Sequence, residues 1–313
     1  MSSSPDGIWS IGELAEHAGA TVKTVRFYSD RGLLPEAARS VGGHRRYGPE
    51  ALDRLRLIRS LRTLDLPVSD VGRVLEREDV LEDVIAGQLR ELGSQLAALR
   101  WREAALQLLQ DCGPEERADR LRLIGAVAAP PSTAALARFW RRLLPVRLPA
   151  RLVAAITEAA VPQPPADPTP TQVLAFARLH AMASDARLAA ELCRPEAKQK
   201  DGSFRPAVLY DGLAEAYELA APDLRTQRPP REGEALDCFV AAHARSRGTK
   251  DTPAYRRKLS GALAQAADPR LDRYWHLVAE LSSPPSGPPT PTLGAADEWL
   301  RAALDAQAGA AAG

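Results

Sequence analysis

Residues 78–110 contain no proline, and Ile85, Leu92, Leu99 and Leu106 recur there at every seventh position. Leu89 and Leu96 fill the companion position of the same heptad, which next falls on Glu103. A seven-residue apolar repeat keeps one stripe along one side of a helix, and a lone helix does not hold such a stripe in water. It has to be covered, either by the rest of this chain or by a second copy of it. In both cases the fold is organised around one long helix.

The charge pattern divides the chain on either side of that helix's start. The formal net charge of the 313 residues is only +1. Residues 8–62 nevertheless carry ten Lys/Arg against six Asp/Glu, whereas residues 63–111 carry five against ten. A basic N-terminal module is therefore concealed by the average, and a basic module is the electrostatic footprint of a nucleic-acid partner.

Within that module, "SIGELAEHAGATVKTVRFYSDRGLL" begins with Ser10 and Glu13 at the spacing of a capping box, which predicts a helix start. Ala18-Gly19-Ala20 closes this helix, Thr21 is placed to cap a second, and Gly32 to stop it. Ala15, Gly19 and Val25 stand where a helix-turn-helix needs a small residue, a glycine turn and a buried branched residue. The exposed start of the second helix then presents Thr21, Lys23, Thr24 and Arg26, side chains that donate to phosphates or base edges. Next comes "GGHRRYGP": the glycine pair predicts a hairpin turn, with His44, Arg45, Arg46 and Tyr47 on the returning strand. A basic, aromatic-tipped hairpin beside a recognition helix is a wing that grips the sugar-phosphate backbone. "LRTLDLPVSDVGRVLE" adds a further pair of helices, broken at Pro67, capped by Ser69, with Val71, Val74 and Leu75 inward. Arg59 or Arg62 would reach a flanking phosphate from it.

In this order, "SIGELAEHAGATVKTVRFYSDRGLLP", "GGHRRYGPEALDRLRLIRSLRTLDLPVSDV" and the long helix after them resemble the MerR-type transcription regulators. The likeness covers roughly the first 110 residues. It implies a winged helix-turn-helix over 8–77 that binds double-stranded promoter DNA, with Arg26, Tyr28, Arg45, Arg46 and Tyr47 toward the duplex and Phe27 packed inward. It also implies that helix 78–111 forms an antiparallel coiled coil in a homodimer, through Ile85, Leu89, Leu92, Leu96, Leu99, Glu103 and Leu106. Glu103 would meet an arginine of the partner copy and fix the register. MerR-type activators act on promoters whose spacer is overlong for RNA polymerase holoenzyme, and distort it. A ligand-independent repressor or architectural dimer is the alternative.

Residues 113–308 are rich in Ala, Leu and Arg, with helical periodicity and no strand pattern, so the class is mainly α, ending in an all-α effector-sensing domain. Residues 309–313 read as a disordered tail. The resemblance implies a signal-receiving role for this region. A small organic effector held between helices needs aromatic walls, and Trp140, Tyr210, Tyr217, Phe239, Tyr274 and Trp275 are the candidates. Metal sensing is disfavoured, because Cys112 stands alone near the end of the dimer helix, and one thiolate makes no selective site for a soft metal. Cys193 and Cys238 read as small buried residues. No metal and no cofactor are expected. None of the phosphate-binding, dinucleotide, serine-hydrolase or zinc-protease motifs occurs, so no catalytic residue is assigned and an enzyme is not expected. Three widely spaced cysteines, no visible signal peptide and no apolar stretch of eighteen residues predict a cytoplasmic protein without membrane contact.

Overall fold

The computed structural model describes residues 7–192, 204–283 and 290–310. The chain divides into two compact units, residues 1–94 and 95–313.

In the first unit, α1 (Ile11–His17) opens with the expected capping box. The Ser10 hydroxyl accepts from the Glu13 amide at 3.3 Å, and the Glu13 carboxylate accepts from the Ser10 amide at 2.7 Å. Gly19, at φ +58°, makes the turn. α2 (Val22–Asp30) follows, capped by Thr21 and stopped by Gly32 at φ +71°. Strands β1 (Ala38–Arg39) and β2 (Arg45–Arg46) pair antiparallel as the hairpin, and Tyr47 extends the pairing by exchanging backbone hydrogen bonds with Trp9 at 2.7 and 2.8 Å. α3 (Pro49–Arg62) buries Ala51, Leu52, Leu55, Ile58 and Leu61, one helical stripe. α4 (Val68–Glu76) buries Val71 and Val74. Its N-cap is Pro67 and not Ser69, which lies inside the first turn, so that cap makes no side-chain bond. A 3₁₀ turn (Glu78–Val80) leads into α5, Leu81–Gln110, the long helix that the heptads predict.

Among the described residues of the second unit, the regular elements are all helices. The last turns of α5 bury Trp101, Ala104, Ala105 and Leu108 in a core shared with α7 (Ala134–Leu143), α9 (Pro170–Ser184) and α14 (Pro269–Ser282). α6 (Pro114–Gly125) is a further helix, with no buried residue and no apolar stripe to announce it in sequence. α8 (Ala150–Ala160) follows α7. α9 ends before Asp185, whose carboxylate accepts from the amides of Arg187 and Leu188 and starts α10 (Ala186–Leu192). A second core joins α11 (Pro206–Arg225), α12 (Glu234–Ser246), α13 (Pro253–Ala266) and α15 (Leu293–Ala310) around Leu213, Phe239, Leu259 and Leu300. A Cβ on Gly212 would stand 2.5 Å from that of Ala242, so the glycine is what lets α11 and α12 approach this closely. α15 includes residues 309 and 310 of the expected tail; residues 311–313 lie outside the described residues.

Candidate nucleic-acid interface

The wing is fastened to the second half of α2 by a polar cluster built on Ser29. Its hydroxyl stands 2.6 Å from the Tyr47 hydroxyl and accepts from the Arg45 guanidinium at 3.0 Å. Arg45 also pairs with Asp30 and, at 2.7 Å, with Glu36. The Asp30 hydrogen bond is the main influence that raises the Arg45 pKa. β2 and α2 are thus held together by side chains from both, and the basic hairpin is fixed next to the helix it must work with.

On this frame, Thr21, Lys23, Arg26 and His44 are exposed, and Thr24 and Arg46 half-buried. Arg46 has a single loose ion pair, with Glu13 at 3.9 Å. Glu13 itself is held below the usual carboxylate range, chiefly by the Ser10 backbone amide.

Three assignments need correction. Tyr28 is buried and Tyr47 is 0% exposed, both within the core of this unit, so neither ring faces a duplex. Phe27 has the opposite fate: it is 39% exposed, with the Arg31 guanidinium 3.7 Å from its ring centroid. The cause is helical register. The buried stripe of α2 is Val25, Tyr28 and Ser29, and Phe27 lies outside that arc. The exposed Phe27–Arg31 pair was therefore legible from the i, i+3, i+4 spacing, which the aromatic pair read as a motif obscured. Arg59 donates to the Ala18 carbonyl, where it satisfies the end of α1. This bond occupies one amino group of Arg59, whose side chain is otherwise exposed.

Along α5, the heptad side chains face outward: exposure runs from 41% at Ile85 through 63% at Leu89, 44% at Leu92, 53% at Leu96 and 57% at Leu99 to 68% at Leu106. Glu103 is exposed on the same helix.

The six candidate effector aromatics do not form one pocket. Trp140, Tyr274 and Trp275 meet in the first core, with ring centroids 5.2–5.5 Å apart. The Tyr274 hydroxyl donates to the Ala160 carbonyl at 2.7 Å. Phe239 is fully buried in the second core, against which Tyr210 and Tyr217 pack. Tyr217 donates to Asp297 at 3.0 Å, and burial raises the pKa of both groups. Two clefts of the second unit, of 690 and 430 Å³, are lined by none of the six. These helix-spaced aromatics pack the two cores, Phe239 and Tyr274 at fully buried positions. Cys112 is buried, with its thiol donating to the Leu109 carbonyl, and Cys238 is partly buried; Cys193 lies outside the described residues. No helix is long and apolar enough to cross a membrane among the described residues.

Residues 9–78 match the family model of the MerR HTH family regulatory proteins. The nodulation protein NolA of Bradyrhizobium elkanii is 38% identical over 89 residues, which are 28% of this chain and 41% of NolA. The transcriptional activator TipA of Streptomyces coelicolor is 44% identical over 68 residues, 22% of this chain and 27% of TipA. The chain thus spans less than half the length of these two relatives. An uncharacterised HTH-type transcriptional regulator of Pseudomonas aeruginosa is 34% identical over 118 residues, covering 35% of this chain and 89% of that protein. Nearly the whole length of that relative is therefore matched by about a third of this chain. This chain belongs to the MerR family of helix-turn-helix transcriptional regulators.

Proposed function

We propose that the protein is a homodimeric regulator that grips promoter DNA through two winged helix-turn-helix modules and changes transcription by deforming the spacer between them. The observation that carries this reading is the wing clamped to α2 through Ser29, Tyr47 and Arg45, beside a basic α2 surface. Thr21, Lys23, Thr24 and Arg26 would enter the major groove, and His44 and Arg46 would hold phosphates from the wing. Phe27, with Arg31 stacked on it, joins this surface in place of Tyr28. Arg45 serves mainly to hold the wing.

The exposed α5 stripe supports the dimer: six large apolar side chains in water are stabilised only when a second copy covers them. Antiparallel pairing of α5 would set two reading heads a fixed distance apart on a two-fold site. Protein contacts at both ends of a site place the strain on untouched base pairs between them, which is indirect readout. By likeness to MerR-type activators, that strain would realign an overlong spacer for RNA polymerase holoenzyme. An organic effector in the helical second unit would bias the dimer between two arrangements by binding one of them better.

The test is a mobility-shift titration of the intact protein on the duplex upstream of its own gene. One dimer per duplex is expected, with a steep salt dependence. Lys23→Ala with Arg26→Ala should flatten the slope of log K against log salt by about 0.9 for each phosphate that is no longer neutralised. Unchanged affinity and slope in that variant would refute the interface. Binding that only ever lowers transcription, with no response to any effector, would favour a ligand-independent repressor.

A further inference from the structure

The 690 Å³ cleft lies between α7 and α8, entirely within the second unit. Its size is that of an ordinary small-molecule site. Ala137, Val153 and Val161 supply apolar wall, and Arg141, Thr157 and Glu158 supply polar groups. Two of these polar groups are unusual. Thr157 is 9% exposed, and its hydroxyl has no hydrogen-bond partner among the described residues, although it sits in a helix where such hydroxyls commonly bond back to a carbonyl one turn earlier. Buried hydroxyls are ordinarily satisfied, and Thr157 lines the cleft, so a ligand seated there completes the bonding once the Thr157 χ1 angle turns its covered oxygen outward. Arg141 is exposed and has no ion pair among the described residues, whereas Arg151 nearby is paired with Asp211 at 3.0 Å.

The sign of the ligand follows from the surrounding charge. Of the arginines between Asp119 and Glu158, Arg120, Arg122 and Arg151 are already paired with Glu116, Asp119 and Asp211, whereas Arg141, unpaired among the described residues, stands at the cleft wall. An unpaired guanidinium at a cleft attracts the opposite charge. Glu158 is exposed on the α8 side of the cleft and does not pair with Arg141, so it leaves the guanidinium available and disfavours a second negative charge on the ligand.

We propose that this cleft binds a small amphipathic monocarboxylate, with the carboxylate on Arg141 and the Thr157 hydroxyl, and the apolar body against Ala137, Val153 and Val161. The proposal rests on the effector reading above and gives it a place and a ligand class. Arg141 supplies two parallel donors to a carboxylate.

Isothermal titration calorimetry on the intact protein without DNA tests it, with sodium octanoate, 2-naphthoate and octylammonium as probes. Both carboxylates are expected to bind with Kd below about 1 mM at low salt, and octylammonium not at all. Arg141→Gln should weaken carboxylate binding about tenfold or more, and Ala154→Trp, which adds bulk at the cleft wall, should abolish it. Thr157→Val is the most diagnostic variant. It should raise the melting temperature of the free protein, because an unsatisfied buried hydroxyl is removed, and should weaken the carboxylates at the same time. A merely structural threonine would not give both. No heat from either carboxylate, tighter binding of octylammonium, or affinities untouched by Arg141→Gln and Ala154→Trp would overturn the proposal. Carboxylate binding that meets these expectations supports the site even where DNA affinity does not move; that second result would overturn the effector reading alone.

Discussion

Replacing Tyr47 by Phe separates a structural tyrosine from one that touches DNA. The ring is completely buried, and its hydroxyl meets only the Ser29 hydroxyl at 2.6 Å. Removing that oxygen keeps the ring packing and leaves Ser29 still accepting from Arg45 at 3.0 Å. The loss is one buried hydrogen bond without an orphaned acceptor, about 1 kcal/mol. Truncation to Ala would remove the ring as well and cost about 3–5 kcal/mol. For a module of this size, about 1 kcal/mol lowers the melting temperature by about 4–8 °C. A domain stable by about 5 kcal/mol or more remains almost wholly folded after that loss, so its DNA affinity should stay within about twofold. Calorimetric melting and fluorescence anisotropy with a labelled duplex, on the same preparation, give both numbers. A Tyr47→Phe protein with unchanged melting and DNA affinity lowered tenfold, about 1.4 kcal/mol, would refute the burial argument and return Tyr47 to the interface.

Arg45→Ala should destabilise the first unit, because Asp30 and Glu36 lose their shared partner, whereas Arg46→Ala should leave melting nearly unchanged and lower DNA affinity; the reverse pattern in melting and anisotropy would contradict the division of labour within the wing. Leu92→Asp with Leu99→Asp places two carboxylates in the α5 stripe, and sedimentation velocity should then report a monomer; a persisting dimer would mean that another surface joins the copies. His243, buried in α12, has its pKa depressed by burial to about 4 from an ordinary 6.5. The folded state therefore binds this proton less well than the unfolded one, and stability that is full above pH 6.5 declines as pH falls toward 4, by about 3 kcal/mol in all. His243→Leu should flatten that part of the denaturation midpoint against pH, and an identical profile would show that another group titrates there.

Local chemistry was legible in the sequence wherever a single residue type dictates a backbone state. Ser10 with Glu13, the φ > 0 glycines at 19 and 32, and the glycine-led hairpin each form as their side chains require. The long helix α5 was legible for a similar reason, since a seven-residue apolar repeat without proline fits an α-helix. What escaped were choices that depend on three-dimensional neighbours. Phe27 and Tyr28 are chemically close, and only the position of the α2 stripe decides which is buried. Tyr47 looked like a wing tip until Trp9 paired with it and Ser29 received its hydroxyl. The bond from Arg59 to the Ala18 carbonyl, 41 residues away, has no local signal either. In the second unit, aromatics signalled a pocket but fill cores, because a large ring is buried for its area regardless of whether a ligand exists. The cleft is instead lined by small side chains and arginine, a composition with no sequence signature.

The central claim is that two copies joined along α5 hold DNA at both ends of a site and deform its middle. Chemical footprinting of the intact protein on the duplex upstream of its own gene tests this most directly. The account predicts a two-fold symmetric footprint spanning the promoter spacer, with protection at both ends and hyper-reactive base pairs at the centre. A continuous footprint without central hyper-reactivity, or protection of a single asymmetric half-site, would contradict it.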